Sequence, residues 1–496
     1  MAISAETVQF GPWNSGVWYS RTPEDCPPDG LTLMTNMRIG SSGEVKTRAG
    51  NASYLSQSAL AGTPTITAHG QFDVDASQEE EFLVAGAAIY KYSSGWSAIT
   101  GATTITAGDD NTFQWVNANG TLILTNGVDT DALKWTGTGN AAALDDNGRF
   151  TKGNHIAWFD NRLWIGNVNG ATGQLWYSDI GDIETWGATS FYNFGSPITG
   201  LQPTQNALTV HTEDGIFTMI STGSSTLPYQ RQQRTTRAGL GGRSIIPLTG
   251  SEQLFVQTDG IYRWAGGADV EKISYQLDGV GYWNTINTAR LKHSHGVYYP
   301  KENEVWFALP YGAAQTNMNH IMVYNTRFNC WSGPWSGFTR NTSALIDNKP
   351  HMGGFDGLLY DMDTGTSDNG TAISWDFETA ATPPMGSDVR LRWLYARTFV
   401  DAAGDYSCTV TQDSSGLTGT TESLNLLTDT FTLGTSVLGV GTLGSLRMVA
   451  KETRLAGYDP HTSLKYSSSG LDQPATFRRT HLQFKPIGRK RRGTRT

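Results

Sequence analysis

The chain has 496 residues, a formal net charge of −9 and only 16% charged side chains, against a usual share of about 25%. With 57 Gly, 16 Trp and 19 Tyr it has the balance of a turn-rich β protein with enough length for a large core. No Lys/Arg-led apolar run follows Met1 and no stretch of about 18 apolar residues occurs, so neither a signal peptide nor a membrane span is legible; the expected setting is the cytosol, or release by lysis.

Residues 1–60 read as an extended N-terminal arm carrying one strand pair, within Leu31 to Arg48 around a Ser-Ser-Gly turn. From there short apolar runs recur. Their centres fall at 82–92, 122–135, 162–178, 208–219, 254–264, 304–324 and 351–362. The copies at Leu208 and Leu254 are the most alike, each an alternating run, an Asp-Gly pair and a second run. Asp214-Gly215 and Asp259-Gly260 are expected at the centres of two-residue hairpin turns with both residues at positive φ. A spacing of roughly 40 to 50 residues is the period of a four-stranded blade, and one such sheet cannot cover both its faces. The expectation is therefore an all-β chain with a β-propeller over 61–369. Seven blades fit the count, six or eight being the alternatives, and the 31–48 strand pair is a candidate to complete the last blade. Trp96, Trp135, Trp186, Trp264 and Trp331, near the ends of their units, are expected in the core between blades.

After about 370 the strands lengthen. Val389 to Val400 alternates Arg390, Arg392 and, with an offset, Arg397 against Leu391, Trp393 and Tyr395, predicting a strand with one basic and one apolar face. Residues 370–486 read as a β-sandwich-like domain with a Gly-rich loop at 414–446, its densest part at 433–446. A basic tail, 487–496, ends the chain. The last twenty residues hold eight Lys and Arg and no acid, so the rest carries −17. An acidic body does not bind nucleic acid generally, but Arg489, Lys490, Arg491, Arg492 and Arg495 are candidate contacts for phosphate or an acidic partner.

The order of these parts resembles the tail nozzle or tail-hub proteins of short-tailed bacteriophages, also described as packaged-DNA stabilisation or tail tubular proteins. The resemblance rests on Asn36 to Arg48, with its Lys-x-Arg step; on His155 to Trp164, with Asn-Arg-Leu at its centre; on Tyr324 to Trp331; and on Arg390 to Val400. It implies a structural virion protein: a homo-oligomeric ring of six chains attached to portal and adaptor proteins and tail fibres. Such a ring encloses the channel through which DNA leaves, without sequence-specific binding. The Gly-rich 433–446 piece matches nothing in that pattern, and no catalytic motif carries over.

The search for reactive groups adds little. Cys26, Cys330 and Cys408 are scattered and lack C-x-x-C spacing, so they are expected as buried thiols. Glu79-Glu80-Glu81 is expected in a solvated loop. His293-Ser-His295 has the spacing of two ligands on one strand face but no third partner nearby. Ala238 to Arg243 is Gly-rich but precedes a strand, so the helix that a phosphate loop needs is missing. No enzyme, cofactor or metal site is expected. The alternative reading is a carbohydrate-binding or polysaccharide-degrading propeller, which requires Trp or Tyr beside paired carboxylates in one pocket.

Overall fold

The computed structural model describes residues 5–224, 227–279, 281–401, 404–414, 420–426 and 448–489. Among these, seven four-stranded antiparallel sheets follow one another along the chain. Their innermost strands are Ile66–Asp73, Gln114–Ala118, His155–Phe159, Ile198–Pro203, Ile245–Pro247, His295–Tyr299 and Thr342–Ile346, numbered here as blades 1 to 7. Each innermost strand touches the next, and that of blade 7 touches that of blade 1. The circle closes, and the protein is a seven-bladed β-propeller. The seven runs legible in the sequence are the middle strands of the seven blades.

Blade 7 takes its fourth strand from the other end of the chain, where Asn51–Ser53 pairs with Leu359–Met362. The residues that complete the ring therefore lie just beyond the 31–48 strand pair. That pair is used elsewhere: Gly30–Thr35 and the hairpin Met37–Ile39/Val45–Thr47 enter two six-stranded sheets that also hold the C-terminal strands. One sheet runs Met448–Arg454, Val389–Asp401, Thr476–Arg489, Val45–Thr47, Met37–Ile39, with Glu6–Phe10 also on Thr476–Arg489. The other runs Gly16–Val17, Gly30–Thr35, Trp375–Thr379, Ser463–Ser468, Ser407–Asp413, Thr421–Asn425. They pack face to face through Phe377, Tyr466 and Phe477, whose ring centroids lie 4.8–5.1 Å apart, and through Thr398 Oγ1 and Tyr466 Oη at 2.7 Å. The sandwich is thus built from both chain ends, with the propeller between them in sequence. The 433–446 piece lies outside the described residues.

Trp135, Trp186, Trp264 and Trp331 are at most 2% exposed, and Trp96 packs less deeply against Tyr54. All three cysteines are buried, and burial pushes each thiol up to about 12. Glu79–Glu81 open the second strand of blade 1 instead of a loop, with Glu81 half-buried.

The two Asp-Gly turns differ from expectation. Thr212 pairs with Gly215 and Gln257 with Gly260, so the loop residues are Glu213-Asp214 and Thr258-Asp259. Only the glycines, at φ 143° and 156°, have positive φ. Paired positive φ occurs at Asn119-Gly120, Asp160-Asn161 and Asp347-Asn348, which join first and second strands of blades 2, 3 and 7. A Cβ on Gly215 would stand 1.9 Å from the Thr235 carbonyl oxygen. Gly215→Ala is expected to cost at least about 2 kcal/mol in urea unfolding, while Gly267→Ala, which meets only Asp269 N at 4.0 Å, is expected within about 0.5 kcal/mol of the parent. Equal costs would contradict the assigned register.

Candidate functional site

The first feature is the axial channel. A chamber of about 590 Å³ is lined by innermost-strand residues of all seven blades, among them Trp115, Val116, Leu201, Ile246, Val297 and Leu345. A second, polar cavity of about 280 Å³ lies at the ends where these strands begin, lined by residues including Asp110, Asn154, Glu213, Lys292 and His293. Gln114, Gly242 and Arg243 line both. Arg243 therefore stands at the waist between an apolar chamber and a polar mouth.

The Gly-rich run before Arg243 explains how it reaches that place. A Cβ on Gly241 would meet the Lys292 carbonyl oxygen at 2.3 Å, and one on Gly242 would meet the Gln114 side chain at 2.5 Å. Only glycine lets the backbone pass so close before the 3₁₀ turn Gly242–Ser244. The run serves close packing, with Arg243 as its product. The Arg243 guanidinium donates to the Asn341 carbonyl at 2.8 Å and the His293 carbonyl at 3.0 Å. Among the described residues no carboxylate lies within ion-pair distance of it, and burial holds its pKa down at about 10, Asp110 opposing. Asp110 itself is held by two hydrogen bonds from Arg290.

Four buried histidines sit at the seams around this channel. His69 of blade 1 donates from Nε2 to the His351 carbonyl of blade 7 at 3.1 Å and accepts at Nδ1 from Thr342 Oγ1 at 2.9 Å. His295 of blade 6 donates to the Arg340 carbonyl at 3.2 Å and accepts from Ser343 Oγ at 2.9 Å. His211 of blade 4 accepts the Gly239 N–H at Nδ1, 3.0 Å, and donates to Gln253 Oε1 of blade 5 at 2.9 Å. His155 of blade 3 accepts from Gln114 Nε2 of blade 2 at 2.9 Å. An amide N–H can only donate, so the partners of His155 and His211 require a neutral ring; at His69 and His295 the carbonyl fixes Nε2 as a donor and the hydroxyl meets Nδ1. Burial lowers the four pKa values to about 3 for His69 and His295 and about 4 for His155 and His211.

His293 and His295, whose spacing alone suits two ligands on one strand face, are split. His293 ends a 3₁₀ turn and faces the polar mouth, with Nδ1 3.9 Å from Asp110, whereas His295 starts a strand and is buried. Among the described residues no group of three His, Cys, Asp or Glu could hold a metal ion.

The second feature is the joint between sandwich and propeller. Arg38 grips Glu304 of blade 6 with Nε at 3.1 Å and Nη2 at 2.5 Å, and reaches Asp363 at 2.5 Å with Nη1. Trp306 Nε1 also donates to Glu304, at 2.9 Å. Arg48 holds Asp368 through both terminal nitrogens, at 2.7 and 2.5 Å, and donates from Nε to Asn36 Oδ1 at 2.9 Å. Asn36 in turn accepts the Ser336 N–H and donates to the Ser374 carbonyl, both at 2.8 Å. The motif from Asn36 to Arg48 is the joint itself.

The third feature is the outer face of the long sheet. Arg390, Arg392, Arg397 and Lys485 are exposed, and Leu391 and Trp393 buried. A register shift between Trp393 and Tyr395 explains the offset of Arg397 and moves Tyr395 to the Arg397 side, off the apolar face where the sequence had placed it. Arg397 pairs with Glu452 at 2.5 Å, and Arg479 lies 4.8 Å over Phe399. Arg489 pairs through its backbone with Val389, so the strand leads directly toward the tail. Lys490, Arg491, Arg492 and Arg495 lie outside the described residues.

No protein-family model and no curated protein matches the chain. Among solved structures it is similar to BamB from Moraxella catarrhalis, at 12% identity over 72% of this chain and 97% of that one, TM-score 0.39. It is also similar to virginiamycin B lyase from Staphylococcus aureus, at 12% identity over 63% and 98%, TM-score 0.42. A third is the exo-β-1,3-galactanase of Phanerochaete chrysosporium, at 10% identity over 88% and 100%, TM-score 0.27. At these identities and scores no residue role passes to this chain.

Proposed function

We propose that the chain is a structural subunit of a short-tailed phage virion, the nozzle or hub ring that encloses the DNA exit channel. One observation carries the reading: both chain ends are tied into one body, with Asn51–Ser53 closing the propeller and Arg38 and Arg48 bolting it to the sandwich. The motif that carried the resemblance from Asn36 to Arg48 is this joint. Such bracing suits a subunit that bears load between neighbours. The exposed row Arg390, Arg392 and Lys485 on a body of opposite net charge suits contact between neighbouring copies, or with adaptor and portal proteins and tail fibres. DNA would pass through the ring between subunits without base-specific contact. The propeller's own channel, with a chamber of about 590 Å³, is far too narrow for a duplex.

Negative-stain electron microscopy of the purified chain at low salt tests this. Closed rings with an axial hole, sixfold by expectation, are predicted, and Arg390→Glu with Arg392→Glu should remove most of them. A monomer at every concentration and salt would contradict the proposal.

The second reading, a carbohydrate-binding or polysaccharide-degrading propeller, is supported less. Among the described residues the chamber offers Trp115 and Tyr298 but no carboxylate, while Asp110 and Glu213 line the polar mouth away from those rings. The pairing that such chemistry needs is divided between two cavities.

A further inference from the structure

We propose that the propeller channel binds a small organic carboxylate, with its carboxylate on Arg243 and its apolar body in the chamber lined by Trp115, Leu201, Ile246, Val297 and Leu345. The chemistry of the site defines the ligand from both ends. Arg243 offers five N–H donors in a fork, of which two hydrogen bonds to carbonyls are accounted for, and its charge has no carboxylate counterpart among the described residues. Arg243 is partly buried; a guanidinium largely withdrawn from bulk water without an anion is a costly arrangement, and the depressed pKa of Arg243 is in line with that cost. A carboxylate entering from the channel would supply the missing charge and match the fork in bidentate fashion.

The surroundings favour an anion over a cation at that point. Lys292 and His293 share the mouth with Arg243, and the facing acids are Asp110, already hydrogen-bonded by Arg290, and the exposed Glu213 at the rim. The chamber on the other side is of ordinary ligand size, and its apolar lining selects a hydrocarbon or aromatic body over inorganic phosphate. The site is independent of the ring proposal, since it lies inside one propeller.

Isothermal titration of the full chain with benzoate, benzamide and inorganic phosphate tests the inference. Benzoate is expected to bind saturably, at least tenfold tighter than benzamide, which keeps the ring but loses the charge, and at least tenfold tighter than phosphate. Arg243→Gln should weaken benzoate tenfold or more. Ala344→Leu, which takes up chamber volume and leaves Arg243 in place, should weaken it several-fold. Were Arg243→Gln to fail to fold, the benzamide comparison and Ala344→Leu would still decide. No saturable benzoate binding up to about 10 mM, equal binding of benzamide or phosphate, or benzoate binding unaffected in a folded Arg243→Gln would overturn it.

Discussion

Replacing Arg38 with methionine is expected to cost about 3–5 kcal/mol, the largest effect of any single substitution considered for this chain. Arg38 and Glu304 are 3% and 1% exposed, and the guanidinium satisfies Glu304 twice and Asp363 once. Burial alone would pull the Arg38 pKa down, yet Glu304 and Asp363 reverse that and hold it above the ordinary arginine value. Removing the cation leaves the Glu304 carboxylate with Trp306 Nε1 and no counter-charge, in a place water does not reach. Most of the cost is that stranded charge and not the lost attraction, so Arg38→Met with Glu304→Gln should recover more than half of it. Urea unfolding followed by tryptophan fluorescence checks both. A loss below about 1 kcal/mol for Arg38→Met, or no recovery in the double variant, would show that the joint does not hold the two halves together.

Acidification is the second large effect. For His69, His155, His211 and His295 the folded-state pKa values of about 3 to 4 lie below the ordinary 6.5. Between those limits the unfolded chain binds protons that the folded chain does not, so stability rises with pH in that window. The contribution is complete above about pH 6.5, falls as pH drops, and is exhausted below about pH 3. Well below pH 6.5 each ring contributes up to about 1.4 kcal/mol per pH unit, and about 1 over the first unit, where the unfolded ring is only partly protonated, so the four together remove roughly 4 kcal/mol between pH 6.5 and 5.5. His293 and His320, whose pKa values burial also lowers to about 4, add to the fall. Glu81, Glu378 and Asp146, whose pKa values burial raises, offset part of the loss nearer pH 5. Urea midpoints from pH 7.5 to 5 should fall steeply. His211→Gln should lower stability at pH 7.5 yet flatten the slope by about a sixth, its share among the six histidines lowered to about 3 or 4, because Nδ1 there cannot both accept the Gly239 N–H and carry a proton. A flat profile from pH 7 to 5 would show that these rings are not buried as neutral staples.

The propeller was legible because its information is local. Each middle hairpin, such as Leu208–Thr212 with Gly215–Ser221, carries its own alternation and turn, and seven of them at near-constant spacing leave few other architectures. The long-range partners were not legible. Nothing near Asn51 announces that it pairs with Met362, or that Thr476–Arg489 lies between Val389–Asp401 and Val45–Thr47. The arm therefore reads as separate, although its strands belong to both sandwich sheets and to blade 7.

The channel was less legible still. Arg243 is not legible because its glycines resemble a phosphate loop that lacks a helix, and the actual use of those glycines, close approach to Lys292 and Gln114, depends on elements far away in sequence. The histidines carried a faint signal: His155 and His295 each open an innermost strand, one before an apolar run and the other before Val297 and Tyr299. The spacing of His293 and His295 fits two ligands on one strand face, without a third partner. A 3₁₀ turn ending at His293 breaks the alternation that a shared strand face requires.

The N-terminal and C-terminal strands make one body with the propeller, and hydrogen exchange at Asn51–Ser53 tests this most directly. These three residues lie within the chain's own N-terminal arm, and their pairing with Tyr360, Asp361 and Met362, together with the Asn51 N–H on the Ser367 carbonyl at 3.1 Å, should protect them. A peptide spanning them should exchange as slowly as the one covering Leu359–Met362, and both should open together as urea approaches the midpoint. Exchange at Asn51–Ser53 within seconds, while the blades stay protected, would contradict the closure and the locked body that depends on it.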